Sequence, residues 1–300
     1  MNIIESIIQR SVPLAPFTTF KIGGPAQYFV VPGTITQFRQ ALEWALMKHI
    51  PFFVMGGGAN VLVHDTGYAG LIINTGKLSR ITVSARGMHA ECGVPVDTVV
   101  DESLRYSLTG LEFAAGLPGT VGGALFMNAR AYTGEFSRIV HEVQCLEVGH
   151  NEIRERTLKK DEINFSYKKS IFQDRKLFVS SVRFTLLKGS KSVIQKSIEK
   201  NRKNRMDAGQ YTFPNAGCIF KNDYRVGRPA GAIIDELGLK GKRIGDAEVY
   251  AKHANFIVNR GSAQAVDVYA LIRHIEDEVL KKTGIHLQRE IILLGDWDDN

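Results

Sequence analysis

Cysteine is scarce in this 300-residue chain, and its three copies lie far apart: Cys92, Cys145 and Cys218 are odd in number and form no CxxC pair. That pattern argues against a disulfide framework and against a metal centre built on thiolates, and it fits a reducing compartment. Long apolar runs are missing too. No stretch approaches the roughly 18 uncharged residues of a membrane span, and the opening MNIIESIIQRSVPLAPF is too interrupted for a signal sequence. Neither secretion nor membrane insertion is expected, so the cytoplasm is. Internal repeats and low-complexity tracts are also lacking. Acidic residues are the minority charge, 31 against 38 Lys and Arg, for a net +7 and a pI near 9.2. Such a balance suits nucleic acid or phosphorylated small ligands equally, and composition does not separate them.

What is present reads as a globular protein, with 44% hydrophobic and 23% charged residues. Residues 34–49 put Ile35, Phe38, Leu42, Ala45 and Leu46 on one helical stripe, with Thr34 as N-cap. A strand at 27–31 precedes that helix, and a second at 52–55 ends abruptly in three glycines. Further strands are expected at 71–74, 81–84 and 88–92, the last two joined by a turn at Arg86-Gly87. Pro95 opens a helix to about Ser107, at the first helical position, with Val96, Val99, Val100 and Leu104 facing inward. Strands follow near 139–148 and 176–187, with a loop carrying Tyr167 between them.

The polar stretch 188–192 marks a boundary before a helix at 193–206. That helix holds the densest basic run, 196–205, interrupted by Glu199, which is either a solvated face or an electrostatic funnel for a phosphorylated substrate. Helices at 229–238 and 263–283, strands within 247–258 and a final strand at 286–294 complete an α+β chain.

Two glycine-rich segments carry the chemistry. In Gly56-Gly57-Gly58-Ala59-Asn60, placed between two apolar runs, the second starting at Val61, successive backbone N–H groups can converge on an anion without a Cβ in the way. The loop matches neither GxGxxG nor GxxxxGK[ST], so by itself it is a phosphate nest or simply a tight turn. The second segment contains Gly116, Gly119, Thr120, Gly122 and Gly123. Together the two can bring backbone to both sides of a diphosphate and a flat ring, although packing alone could also account for Gly122-Gly123.

With these segments the chain resembles the UDP-N-acetylenolpyruvoylglucosamine reductases, the MurB flavoenzymes of peptidoglycan synthesis. The similarity runs in order through Thr18-Thr19-Phe20-Lys21-Ile22-Gly23-Gly24 and residues 56–63, 116–129, 165–172, 214–222, 238–241, 252–259 and 287–295. Single motifs among these are weakly specific, whereas eight in register are highly specific. Chain length and the lack of an extra loop in the C-terminal half resemble the shorter, type II form.

The resemblance implies a two-part FAD-binding module like that of the vanillyl-alcohol oxidases (PCMH type) plus a C-terminal α+β substrate-binding domain. Its divisions would be 1–76, with the tail 286–300 returning to it, then 77–190 and 191–285. It implies non-covalent FAD held by Gly56, Gly57, Gly58, Ala59, Asn60, Val61, Gly116, Gly119, Thr120, Gly122 and Gly123. Ala59 stands where many members have Ser, which removes one hydroxyl donor. NADPH would be the cosubstrate, sharing a site in turn with the UDP-sugar enolpyruvyl substrate. No nucleic acid and no metal are implied, and a monomer is expected.

Reducing an enolpyruvyl ether needs a hydride, a proton and cationic groups near the substrate carboxylate. By resemblance the proton donor is Cys218, at a position usually occupied by Ser. A thiol, with an ordinary pKa of about 8.5, is the stronger acid of the two. Glu290 in Leu287-Gln288-Arg289-Glu290 matches the catalytic glutamate. The Tyr-Arg-x-Ser pattern is replaced by Tyr167-Lys168-Lys169-Ser170, so Lys168 takes the Arg role without its planar fork; a shift of one residue would make Lys169 the active cation. Tyr167 lines the site, and Asn222, Lys240 and His253 contact substrate. The rival readings are a flavin oxidase of the same broad superfamily and a flavin-binding protein without turnover.

Overall fold

The computed structural model describes residues 4–84, 87–149 and 152–297. By compactness the chain forms two units. The first comprises Met1–Arg10, Tyr28–Gly57 and Gly70–Asn204, and the second Ser11–Gln27, Gly58–Ala69 and Arg205–Asn300.

In the first unit, helix α1 (Ile35–Met47) begins where Thr34 Oγ1 accepts the Gln37 N–H at 3.1 Å while Gln37 Oε1 accepts the Gly33 N–H at 2.8 Å. These bonds satisfy donors that a helix start leaves open. Phe38, Ala41, Leu42, Trp44 and Ala45 are buried, and each large apolar side chain so placed contributes roughly 1.5–3 kcal/mol. The helix leads into the strand Phe52–Met55, which runs parallel to Tyr68–Asn74 with Phe52 opposite Leu71 and Met55 opposite Asn74. This register delivers Gly56 and Gly57 to the C-terminal edge of the pair.

An antiparallel sheet follows in the order Ile153–Lys159, Val140–Val148, Leu177–Phe184, Gly87–Glu91, Ile81–Ser84. The expected turn at Arg86-Gly87 lies partly outside the described residues, since Arg86 is not among them. Strand Ile153–Lys159 has no clear sequence signal. Only Ile153 and Leu158 are buried, and its charged side chains pair across to the neighbouring strand, Arg156 with Glu147 at 3.0 Å and Lys159 with Glu142.

Helix α2 (Val96–Arg105) starts one residue after Pro95, which is the N-cap at φ −58° and ψ 139°, not the first helical residue expected. It stops short of Ser107, which takes a left-handed φ of 54°, uncommon for a non-glycine residue. Helix α3 (Val121–Phe126) carries Gly122 and Gly123. Helix α4 (Lys191–Asp207) is the basic helix. As far as Asn204 it belongs to the first unit. The physical reason is its contacts: Asn201 Nδ2 donates to the Glu112 carbonyl at 2.8 Å, and Arg202 bridges Asp97 at 2.8 Å and Asp101 at 2.7 Å.

The second unit holds an antiparallel sheet in the order Asn215–Cys218, Phe256–Asn259, Ala247–Val249, Arg243–Ile244. Helices α5 (Ala230–Glu236) and α6 (Ala265–Thr283) cover it. Helix α6 buries Val268, Leu271, Ile272, Ile275 and Val279 in one cluster with Phe20, Leu62, Ile219 and Phe220. Its N-terminus is fixed by the Asp65 carboxylate, which accepts the N–H groups of Ala265 at 2.8 Å and Val266 at 3.0 Å. A negative charge is favourable there.

The C-terminal strand is shorter than expected. Only Ile292–Leu294 is strand, parallel to Val61–Val63. The residues before it run instead beside 219–221, through Lys221 N–H to the Gln288 carbonyl at 2.8 Å and Glu290 N–H to the Ile219 carbonyl at 2.7 Å. No described helix is long and apolar enough to cross a membrane.

Candidate functional site

In the first unit the two glycine segments meet backbone to backbone. A Cβ on Gly56 would lie 2.1 Å from Thr120 Oγ1, and one on Gly57 would lie 2.9 Å from Gly119 Cα. Only glycine permits this approach. Asn74 secures it, donating Nδ2–H to the Gly56 carbonyl at 3.2 Å and accepting the Gly76 N–H at 3.0 Å. Thr120 Oγ1 is buried and has no hydrogen-bond partner among the described residues, a costly state that a ligand oxygen would relieve. The N–H groups of Gly57, Gly119 and Thr120 also meet no acceptor among the described residues. A clustered set of donors around a buried hydroxyl, with no Cβ intruding, suits a diphosphate.

Two of the expected glycines contribute differently. The Gly116 N–H is taken by Asp97 Oδ1 at 2.8 Å, and the Gly122 N–H by the Cys92 carbonyl at 2.8 Å. They shape the cradle and do not offer those donors. For Gly122 the packing reading holds, because its Cβ would approach Cys92 Cβ to 3.0 Å. Gly123 differs, since nothing would come nearer than 3.8 Å. Packing within the chain does not demand glycine there.

In the second unit Gly58 adopts φ +59°, where a Cβ would lie 2.3 Å from the Phe17 carbonyl oxygen. Its own carbonyl accepts the Thr19 N–H at 3.1 Å. Asn60 turns its side chain to the C-terminal segment, donating Nδ2–H to the Glu290 carbonyl at 3.0 Å, while its carbonyl accepts the Ile292 N–H at 3.0 Å. Val61 continues that contact opposite Ile292. The Asn60 amide therefore positions Glu290.

Cys218 and Glu290 come together in this unit, because Ile219, next to Cys218, accepts the Glu290 N–H. Both residues are half-buried. Cys218 lies opposite Phe256 and packs against the Tyr250, Phe256 and Val258 cluster. The other two cysteines are buried, and burial pushes their thiols up, Cys92 to about 12 and Cys145 to about 11. Neither is a usable acid near neutrality.

Asn222, Lys240 and His253 also belong to the second unit. Asn222 Oδ1 accepts the Ala230 N–H at the start of α5, at 2.9 Å. Lys240 pairs with Asp235 at 2.6 Å in a partly exposed bridge, worth no more than about 1 kcal/mol and readily exchanged for a diphosphate. Burial holds the His253 imidazole below its usual range, and the Lys240 ammonium adds to the effect. Its Nδ1 is buried with no partner among the described residues, and its ring lies 4.3 Å from that of Phe256.

In the first unit, residues 166–170 form a tight loop closed by Ser166 N–H to the Lys169 carbonyl at 3.0 Å. Ser170 Oγ at 2.8 Å and Gln173 Nε2 at 2.7 Å both donate to the Phe126 carbonyl. Lys168 sits at φ +56° and is half-buried, while Lys169 is exposed and paired with Asp174 at 3.1 Å. Tyr167 carries the Arg130 guanidinium over its ring at 5.4 Å.

Sequence reasoning did not single out Asn74, Asp97, Asn128 or Arg130. Asx residues flanking glycine-rich turns are the one signal that could have found the first three; for Arg130 there was none. The described residues contain no cluster of metal-ligating side chains.

The chain is similar to several known proteins. Residues 26–153 match the FAD binding domain family, and residues 209–294 match the C-terminal domain of UDP-N-acetylenolpyruvoylglucosamine reductase. The reductase of that name from Borrelia garinii subsp. bavariensis is 38% identical over 283 residues, 94% of this chain and 92% of its own. That of Parasynechococcus marenigrum is 38% identical over 291 residues, 96% of each chain. The crystal structure of UDP-N-acetylenolpyruvylglucosamine reductase (MurB) from Thermus caldophilus superimposes with a TM-score of 0.81 at 33% identity, over 96% of this chain and 98% of that one.

Proposed function

The chain belongs to the UDP-N-acetylenolpyruvoylglucosamine reductase family, and from that premise we infer that it is an FAD-dependent oxidoreductase which reduces UDP-N-acetylglucosamine enolpyruvate to UDP-N-acetylmuramate at the expense of NADPH. The observation that carries this reading is similarity along almost the full length of both chains, in FAD-binding and C-terminal parts alike. The setting is peptidoglycan precursor synthesis in the bacterial cytoplasm, on which cell shape and division depend, and the protein acts as a monomer.

Bound FAD supplies the hydride for the terminal carbon of the enolpyruvyl ether. The backbone N–H groups of Gly57, Gly119 and Thr120, with Thr120 Oγ1, would hold its diphosphate. Residues 1–76 and 77–190 make up the FAD module and 191–285 the substrate domain, with the helix α4 contacts tying 191–204 to the former. The Cys218 thiol gives a proton to the carbon next to the carboxylate. Glu290, held by Asn60 and Ile219, shares a proton with the developing enolate, a role that calls for a raised pKa in the complex. Lys168 stabilises the carboxylate as its charge grows, and Tyr167 lines the site. Asn222 and Lys240 receive the UDP diphosphate, and a neutral His253 makes a further contact with the substrate. Substrate and NADPH bind in turn, so initial-rate plots are parallel, and intersecting lines would rule this scheme out. The direct test is consumption of NADPH that depends on the enolpyruvyl sugar nucleotide, with a product two hydrogens heavier.

Two further outcomes follow. Thr120→Val removes the unpartnered hydroxyl at constant shape. The flavin-free protein should be as stable as before or more so, while FAD binds about 5–20-fold more weakly. Equal affinity in an equilibrium fluorescence titration would remove Thr120 from the site. Lys168→Ala should lower kcat/KM for the enolpyruvyl substrate by about 10–100-fold, and Lys168→Arg should match or exceed the parent. A slower Lys168→Arg, or an unimpaired Lys168→Ala, would show the cation to be elsewhere.

A further inference from the structure

The glycine segment that completes the cradle is held along one edge by residues 92–96. Gly122 N–H donates to the Cys92 carbonyl at 2.8 Å, Val121 N–H to the Val94 carbonyl at 2.9 Å and Val96 N–H to the Gly119 carbonyl at 3.1 Å, with Thr120 opposite Pro95 in an antiparallel bridge. At Val96 the chain enters helix α2, where backbone carbonyls are committed along the helix axis. A side chain makes the next rung: Asp97 Oδ1 accepts the Gly116 N–H at 2.8 Å. Leu117 and Pro118 alone separate that rung from Gly119, and the glycines on either side of them hold φ of +74° and +100°, a conformation that a loosened chain would readily leave.

Asp97 is in turn fixed from helix α4. Arg202 donates to the same oxygen through Nε at 3.3 Å and Nη2 at 2.8 Å, and Nη2 also reaches Asp101 Oδ1 at 2.7 Å. One residue earlier, Asn201 Nδ2 donates at 2.8 Å to the Glu112 carbonyl, which also accepts the Ala115 N–H at 3.2 Å. Two neighbouring residues of α4 thus grip both approaches to Gly116. Asp97 also lies in the first turn of α2, where a negative charge is favourable. That role alone requires neither an oxygen on Gly116 nor a guanidinium from another helix.

We propose that Asp97 and Arg202 are positioning residues for the flavin diphosphate. Arg202 fixes the Asp97 carboxylate, and the carboxylate holds residues 116–120 in the form that presents the Gly119 and Thr120 N–H groups. The inference rests on the reading of this cradle as the FAD diphosphate site. Without the rung, FAD has to order the segment as it binds, and affinity falls by that cost.

The test is an equilibrium fluorescence titration of the flavin-free full-length protein with FAD, in the parent, Asp97→Ala, Asp97→Asn, Arg202→Gln and the double variant Asp97→Ala/Arg202→Gln. Asp97→Ala should bind FAD about 5–20-fold more weakly. Asp97→Asn should recover most of that loss, because its amide oxygen can accept the same N–H although the charge that favours a helix start is gone. Arg202→Gln should cost about 2–5-fold, and the double variant should be no weaker than Asp97→Ala alone, since Arg202 acts through Asp97. Parental affinity in Asp97→Ala or in Arg202→Gln would overturn the proposal. So would an asparagine variant as weak as the alanine one, or a double variant whose loss is the product of the two single losses. If Asp97→Ala does not fold, the other two single variants decide: near-parental binding by Asp97→Asn with weaker binding by Arg202→Gln supports the proposal, and any other pairing counts against it. A parent protein that binds no FAD would instead defeat the functional reading, which is a separate result.

Discussion

Cys218→Ala is expected to bleach with NADPH as the parent does and to recolour with the enolpyruvyl sugar nucleotide about 10²–10⁴-fold more slowly, the usual contribution of a positioned acid. The argument is one of balance. Adding a hydride to the terminal carbon leaves the adjacent carbon in need of a proton, and neither the nicotinamide nor the sugar nucleotide offers one. Cys92 and Cys145 cannot stand in, being buried with thiols pushed up to about 12 and 11. Cys218 is half-buried on the strand edge beside the Glu290 segment. Cys218→Ser should restore part of the rate, since a hydroxyl in the same place can also donate a proton. Stopped-flow absorbance showing normal recolouring of the alanine variant would remove Cys218 from the mechanism.

The second large effect is on cofactor retention. Gly57→Val should yield a folded protein that binds FAD about 10–100-fold more weakly. A Cβ at 57 meets Gly119 Cα at 2.9 Å, and that atom is backbone. Gly119 itself is held at φ +100°, so the neighbour cannot easily yield without losing the conformation that presents its N–H. Overpacking of this kind costs about 1–3 kcal/mol, and the upper part of that range corresponds to roughly 100-fold in affinity. Thermal unfolding of the flavin-free forms provides the control. A large drop in Tm for the variant without added FAD would mean that the glycine serves folding in general, whereas similar Tm values with lost flavin binding place the effect in the cradle.

Local pattern carried the helices well. The stripe of α1, its Thr34 cap and the apolar face of α6 needed only periodicity and capping rules, and all were found where expected. The glycine segments were legible as anion sites only in part. Which N–H groups stay available depends on Asp97 and the Cys92 carbonyl, partners that sit 19 and 30 residues from Gly116 and Gly122 and leave no local trace. Distance in sequence hid the rest. Asn60 reaches the Glu290 carbonyl across 230 residues, and Arg130 finds Tyr167 only after a turn of helix and a sheet have been built between them. Strand Ile153–Lys159 was missed because cross-strand ion pairs replace apolar alternation on an edge. Helix α4 follows a polar stretch that composition makes plain, while the contacts of Asn201 and Arg202 with the first unit are specific and not compositional. Cys218, Glu290 and Lys168 would have read as an ordinary small hydrophobe and two surface charges without the family resemblance; the structure adds that the first two lie on adjoining segments.

The central claim is that the Gly56-Gly57 cradle holds a flavin used to reduce an enolpyruvyl sugar nucleotide. An anaerobic titration of the purified holoprotein tests it most directly. The yellow protein should bleach on adding one equivalent of NADPH and regain its full absorbance with one equivalent of UDP-N-acetylglucosamine enolpyruvate, oxygen excluded throughout. A protein that stays bleached until air is admitted would be an oxidase, and one that never bleaches would bind flavin without this activity; either result contradicts the account.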